Sequence, residues 1–274
     1  MAITLSREFG NSTLTFESGK LALQAGGSCV VTYGETQVLA SCTTAQPREG
    51  IDFFPLTIDV EERMYAAGKI PGGFFRREGR PSETAILTAR LTDRPMRPSF
   101  KDGYRDEVQV VITVLSVDMA HQYDIPGMNA ASLATMLSGI PFEGPVGSVR
   151  LGLIDGEWVI NPTFQDLEEA TFDIVVAGRR NDSGQVDILM IEGEAPDNTW
   201  ALLQGSGTTP TERVVGEGLE AAKRAIDELI DMQLEFIATA DVKPRAFEPK
   251  PLYGPDTWAA AETFKERLET AIVP

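Results

Sequence analysis

The sequence predicts an α+β fold, a mixed sheet with packed helices, from two observations. Runs rich in β-branched residues recur along the chain and several are joined by hairpin signals. Only three stretches before residue 240 show a helical pattern, and they do not alternate regularly with the strands.

Taken in order, Thr13–Phe16, Ser28–Tyr33 and Thr36–Thr43 read as strands, with Gly34-Glu35 as the turn between the last two. Residues 52–61 form a further apolar run, and Pro55 inside it points to a sheet edge or a bulge. A Gly- and Arg-rich loop follows over 66–79. Pro81-Ser82-Glu83 opens a helix with Ile86, Leu87 and Leu91 as its expected apolar face. Pro95 disfavours the α region at Arg94, so the helix is expected to stop there and leave Arg94–Pro98 as a stiff, extended strip. Residues 107–117 read as a buried strand and 127–138 as a helix of small residues. Val146–Ile154 and Glu157–Ile160 flank the turn signal Asp155-Gly156, and 172–177 and 185–192 are two more strands. Residues 212–238 form one long amphipathic helix with Val215, Leu219, Ala222, Ile226, Leu229 and Ile230 on its apolar side. A proline-rich linker over 243–251 then leads to a helix over 256–271. One helix does not fold alone, so the sequence is expected to be the front part of something longer.

Composition narrows the functional classes. No apolar run approaches the roughly 20 residues that span a bilayer, and Met1–Glu8 lacks the basic start and apolar centre of a signal peptide. A cytoplasmic location without membrane contact is expected. Cys29 and Cys42 lie in apolar runs and read as reduced core thiols. The single histidine, His121, reads as a surface-loop residue, and no Gly-x-Ser-x-Gly elbow accompanies it. Neither a P-loop nor a dinucleotide fingerprint is present. Asp173, Glu192 and Glu194 have no spacing specific to a metal site.

Charge is distributed unevenly. The chain has a net charge of −17, yet residues 63–105 hold ten Lys/Arg against four Asp/Glu, a local +6 in a remainder of −23. Anions respond to such local fields rather than to net charge. Phe74, Phe75, Arg76 and Arg77 lie on the Gly-rich loop with Arg80 just after it, a combination suited to stacked bases and phosphates. Arg90, Arg94 and Arg97 follow at near-helical spacing. Guanidinium groups stay charged and bind phosphate bidentately, so the cluster points to a phosphate-chain ligand.

Three stretches carry a family resemblance: Asp52-Phe53-Phe54-Pro55-Leu56-Thr57, the continuous run Tyr65-Ala66-Ala67-Gly68-Lys69-Ile70-Pro71-Gly72-Gly73-Phe74-Phe75-Arg76-Arg77-Glu78-Gly79-Arg80-Pro81-Ser82-Glu83, and Arg90-Leu91-Thr92-Asp93-Arg94-Pro95-Met96-Arg97-Pro98. With Leu137–Pro145 and Asn161-Pro162-Thr163, they resemble the bacterial polynucleotide phosphorylases. The resemblance implies a ribonuclease PH-like core over 1–242 and the start of an all-helical domain over 243–274. It also implies a phosphorolytic 3′→5′ exoribonuclease of RNA degradation. In that reaction inorganic phosphate releases nucleoside diphosphates from single-stranded RNA, Mg2+ assists, and three chains form a ring around an RNA channel. Phe74, Phe75, Arg76 and Arg77 match the family's RNA-gripping loop, and Arg90, Arg94 and Arg97 match arginines that reach toward the RNA backbone near the active site. The family's catalytic second core carries a serine-rich phosphate loop and paired aspartates, with a lysine two residues after the second. The corresponding places here read His121-Gln122-Tyr123-Asp124 and Asp173-Ile174-Val175. The resemblance therefore implies a non-catalytic half, with no catalytic or metal-binding residue of its own and with Mg2+ expected in the second core. The alternative is a non-catalytic RNA-binding or ring-assembly subunit of an exosome-like complex.

Overall fold

A computed structural model of the chain describes residues 2–48, 51, 53–72, 78–205, 207–240, 242–249, 260, 262–265 and 267. Hairpins build most of a six-stranded sheet from β1 (Ile3–Phe9), β2 (Ser12–Ser18), β3 (Gly27–Tyr33), β4 (Thr36–Ala45), β5 (Leu56–Glu62) and β6 (Glu107–Ser116), in the order β1-β2-β3-β4-β6-β5. Every neighbouring pair is antiparallel except β5 and β6. A parallel pair needs a crossover, and here it is the basic segment, with α1 (Glu83–Met96) at its centre. One topological unit thus holds the whole basic stretch. β5 lies at the sheet edge, where Pro55 had placed it.

A second, antiparallel sheet runs β10-β9-β7-β8, from β7 (Val146–Ile154), β8 (Glu157–Ile160), β9 (Phe172–Arg180) and β10 (Val186–Glu194). Asp155 and Gly156, both at positive φ (50° and 88°), make the β7–β8 turn. Between the sheets lies α2 (Asp124–Leu137), buried from Asp124 to Thr135 and packed on β3, β4 and β6 on one side and β7 on the other. Its small residues permit this: a Cβ at Gly27 of β3 would collide with the Ala134 carbonyl. The helix's polar groups are paired in place. Ser132 Oγ accepts from Val146 N at 2.8 Å and donates to Gln233 Oε1 at 2.8 Å, and Gln233 Nε2 returns to Val146 O at 2.9 Å. That ring joins α2 and β7 to α5 (Glu212–Thr239), whose buried face includes Ala222, Ile226, Leu229 and Ile230 as the periodicity predicts.

The structure revises several expectations. α1 continues through Pro95 to Met96 and ends in a 3-10 turn over Arg97–Ser99, so no extended strip forms. Pro95 lies in the last turn, and Ser99 Oγ donates to the Pro95 carbonyl at 2.9 Å. Pro95 and Met96 are both buried, and that burial overrides the local preference. The apolar face of α1 is also shifted: Ala85, Thr88, Thr92, Pro95 and Met96 are buried, whereas Ile86 and Leu87 are 49% and 52% exposed. Two short helices, α3 (Phe164–Leu167) and α4 (Thr199–Gln204), were not anticipated. Residues 243–249, the described part of the expected 243–251 linker, lie against the core. Arg245 N donates to Gly139 O at 2.7 Å, Arg245 Nη1 to Thr44 Oγ1 at 3.1 Å, and the Phe247 ring meets Tyr104 edge-on at 5.8 Å. Gly139 (φ 71°) permits this approach, since a Cβ there would strike the Lys243 carbonyl. Beyond the linker, residues 260, 262–265 and 267 are helical. Cys29 and Cys42 are free and buried, and burial pushes both thiols above their ordinary range.

Candidate nucleic-acid interface

The crossover bounds a cleft of about 780 Å³ between the edge strand β5 and α1, lined also by residues 78–82. Ser82 fixes the start of α1 by accepting from Ala85 N at 3.0 Å. Ala85, Ala89 and Asp93, spaced four residues apart on one face of α1, line the cleft with Ile86, Arg90 and Arg94, and Ala85 is buried at its floor. Four arginines line this space, Arg63, Arg80, Arg90 and Arg94, together with Asp59, Glu61, Glu62, Glu78 and Asp93.

The partners of each charge decide which remain available to a ligand. Arg63 pairs with Glu61 and, at 3.6 Å, with Glu78; Glu78 Oε1 also accepts from Met64 N at 2.7 Å, which ties the two ends of the 64–78 loop together. Tyr123 Oη donates to Glu62 at 2.7 Å and Gln109 Nε2 to Asp59 at 3.0 Å. Arg94 pairs with Glu192 of β10 across an exposed surface and touches the Ile191 carbonyl. Arg97 is bound to Asp93 and to two carbonyls and does not line the cleft. Arg80 and Arg90 are exposed, and neither makes a hydrogen bond or ion pair with another described residue. The cleft thus brings Arg80, Arg90 and Arg94 together and leaves Arg97 outside. Phe74, Phe75, Arg76 and Arg77 lie outside the described residues.

A second constellation is buried. Arg150, on β7, stands between Asp124 at the start of α2 and Asp173 on β9, donating to Asp124 Oδ2 at 2.7 Å and also to Asp173 Oδ2. In the β7–β9 register Gly152 faces Asp173, so Arg150 and Asp173 form a diagonal cross-strand pair. Two carboxylates share one guanidinium, and Asp173 Oδ1 and Arg150 Nε have no partner among the described residues. Burial pushes the Asp173 carboxyl up to about 6, with Arg150 opposing the shift and Glu194 and Asp124 adding to it. This triad went unread in the sequence, although a signal existed: a lone arginine and a lone aspartate each interrupt an apolar strand, and buried charges need partners. His121 is a correction of another kind. Its side chain is 13% exposed rather than on the surface, its Nδ1 lies 2.7 Å from Asp118 Oδ2, and its ring meets Tyr33 edge-on. Asp118 also accepts from the amides of Glu35, Ala120 and His121, which locks the β3–β4 turn to the loop before α2.

Comparison with known proteins places these features. Residues 12–141 match the 3′ exoribonuclease family, domain 1, and residues 144–224 match domain 2 of the same family. The chain belongs to the 3′ exoribonuclease family. The polyribonucleotide nucleotidyltransferase of Salinispora arenicola is 57% identical over 254 residues, 92% of this chain and 32% of that protein. The enzyme of the same name from Acidothermus cellulolyticus is 53% identical over 273 residues, 99% of this chain and 35% of that one. The chain therefore spans about a third of the length of the curated relatives it matches. The crystal structure of rice Rrp46 superposes with a TM-score of 0.61 at 13% identity, covering 86% of this chain and 94% of that one, which supports the 3′ exoribonuclease fold alone. In this member of the family, Asp124 and Asp173 do not fit a divalent cation, because the Arg150 guanidinium stands between them. Among the described residues no cluster of three or more His, Cys, Asp or Glu side chains is arranged to hold a metal, and no helix is long and apolar enough to cross a membrane.

Proposed function

We propose that this chain is the first ribonuclease PH-like half of a polynucleotide phosphorylase, acting in the cytoplasm within a homotrimeric ring. RNA is shortened from its 3′ end when inorganic phosphate attacks the terminal phosphodiester and releases a nucleoside diphosphate. In this reading the first half guides single-stranded RNA and supports assembly. Phosphorolysis, and the Mg2+ that assists it, belong to a second core outside these 274 residues. The supporting observation is the pair Arg80 and Arg90, two guanidinium groups without a partner among the described residues, in a cleft of about 780 Å³. Unpaired cations at one locus repel each other, and an anionic strand relieves that repulsion. Arg94, whose one carboxylate partner is solvent-exposed, joins them by exchanging Glu192 for a phosphate. In the same crossover in sequence, Phe74 and Phe75 supply stacking worth about 1–3 kcal/mol per base, and Arg76 and Arg77 supply charge toward the phosphates.

The buried triad supports the assignment of a silent half. A guanidinium held by two carboxylates offers neither a nucleophile nor an open metal position. The test has two parts. The 274-residue chain, incubated with poly(A) and phosphate, is expected to release no nucleoside diphosphate; robust release overturns the division of labour. Fluorescence anisotropy with single-stranded oligo(A) is expected to show salt-dependent binding, with Arg80→Ala and Arg90→Ala each lowering the log–log salt slope by about 0.7. Unchanged affinity and slope in the double variant removes the cleft from the RNA path.

A further inference from the structure

We propose that Arg97 is a positioning residue: it sets the wall of the cleft and makes no contact with the RNA. The inference rests on the reading of the cleft as the RNA path and reverses the role that family resemblance implies for this side chain.

The geometry of the guanidinium carries it. Arg97 Nε donates to Asp93 Oδ2 at 2.9 Å and Nη2 to Asp93 Oδ1 at 2.6 Å, a bidentate pair along one edge of the group. Nη1 donates to Phe54 O and Nη2 to Leu56 O, each at 3.1 Å, along the other edge. A phosphate is gripped by two parallel N–H groups on one edge, and here neither edge is free. The contrast with Arg90 is direct, since α1, whose C-cap is Arg97, presents Arg90 to the cleft without a partner among the described residues.

The acceptors show what the clamp does. Phe54 and Leu56 enter β5, the edge strand of the large sheet, and edge carbonyls without a neighbouring strand need covering. Leu56 and Asp93 both line the cleft, one from the strand and one from the helix. Arg97 therefore bridges the two walls at one end and fixes their separation. It also holds the Asp93 carboxylate, so that this negative charge is neutralised locally rather than presented to an incoming strand. Lysine is not an equivalent replacement, because a single ammonium lacks the fork that serves a carboxylate and two carbonyls together.

Positioning and direct contact predict different outcomes. In anisotropy titrations with labelled oligo(A) over a salt series, Arg97→Ala is expected to weaken binding about fivefold with an unchanged salt slope. Arg90→Ala lowers the slope by about one phosphate contact. Asp93→Asn is the sharper variant. If Arg97 touches RNA, removing a neighbouring carboxylate from the cleft strengthens binding; if Arg97 positions the wall through Asp93, the same change weakens it. Amide exchange measures the clamp without RNA. The Val108 amide, bonded to Pro55 O at 3.0 Å, is expected to exchange about tenfold faster in Arg97→Ala and at the parental rate in Arg90→Ala. A lowered slope in Arg97→Ala, tighter binding by Asp93→Asn, or parental exchange at Val108 overturns the proposal. Should Arg97→Ala fail to fold, Asp93→Asn decides by itself. Absence of RNA binding in the parent rejects the RNA reading instead, and the exchange measurement still decides on the clamp.

Discussion

Arg90 and Arg150 carry the same side chain into opposite circumstances. Arg90 is exposed on α1 beside the cleft and has no partner among the described residues. Arg150 is 9% exposed on β7 and is bound by two carboxylates. The difference follows from solvation. Water stabilises an unpaired guanidinium at little cost, whereas the interior requires matched charges at hydrogen-bond distance. An arginine that the fold leaves unpaired is available to a ligand, and one that the fold surrounds is structural. Arg94 and Arg97 lie between these extremes: Arg94 has one solvent-exposed acidic partner, and Arg97 has four hydrogen bonds. Availability thus falls from Arg90 on α1 to Arg97 just past its end, although sequence spacing treats the three alike.

The largest effect that tests this comparison is at Arg150. Arg150→Ala leaves Asp124 and Asp173 buried and uncompensated, and is expected to destabilise the fold by about 3–5 kcal/mol, read as a lowered midpoint in urea unfolding. Replacing all three members with apolar residues of similar volume is expected to recover most of that loss, because desolvation offsets much of the attraction within the triad. A loss under 1 kcal/mol for Arg150→Ala would show that the interior site is solvated and would erase the contrast with Arg90.

A smaller effect is expected from pH. The Asp173 carboxyl sits at about 6 in the folded chain against an ordinary 3.8, because burial outweighs its pairing with Arg150. Between those values the folded state holds a proton that the unfolded state has released. The contribution of Asp173 is therefore complete below pH 3.8 and is lost as pH rises through about 6. Asp118 behaves in the opposite sense. Burial would raise its carboxyl, but hydrogen bonds from His121, Ala120 and Glu35 outweigh that and hold it below the usual range. Its contribution is present above the unfolded value and is lost as pH falls through the folded one. Urea unfolding of Asp173→Asn is expected to show a flatter stability profile between about pH 4 and pH 6, with the acid limb unchanged. Asp118→Asn is expected to alter the acid limb instead. An identical profile for parent and Asp173→Asn would mean that the triad holds no extra proton.

How much of this was legible follows from the range over which each signal acts. Local signals were read correctly: Gly34-Glu35 and Asp155-Gly156 sit in hairpins, Pro55 marks an edge, and the 212–238 periodicity marks the buried face of α5. The basic segment was visible as charge, and the parallel β5–β6 pairing makes it a single crossover, from which Arg63, Arg80, Arg90 and Arg94 line the cleft. Features that depend on distant partners were missed. Pro95 reads as a helix stop, but burial of Pro95 and Met96 carries α1 past it. Ile86 and Leu87 read as core because side-chain type was taken for the direction of packing, while the helix packs through Ala85, Thr88 and Thr92. His121 read as surface because Asp118 and Tyr33 are partners that only the fold supplies. Of the candidate site, the residue types were legible, but the pairing of Arg97 and the freedom of Arg90 were not.

The smallest expected effect concerns the open end of the comparison. If Arg80 and Arg90 are unpaired and solvated, Arg80→Ala with Arg90→Ala leaves unfolding free energy within about 0.5 kcal/mol of the parent. A polyanion that binds only the folded parent raises its apparent stability by mass action, about 2.7 kcal/mol when present at 100 times its dissociation constant. The double variant is expected to lose most of that increment with tripolyphosphate as the probe. Intrinsic destabilisation above 1 kcal/mol in the double variant would show that these guanidinium groups are structural after all. Equal stabilisation of parent and double variant by the probe would move the anion site away from α1.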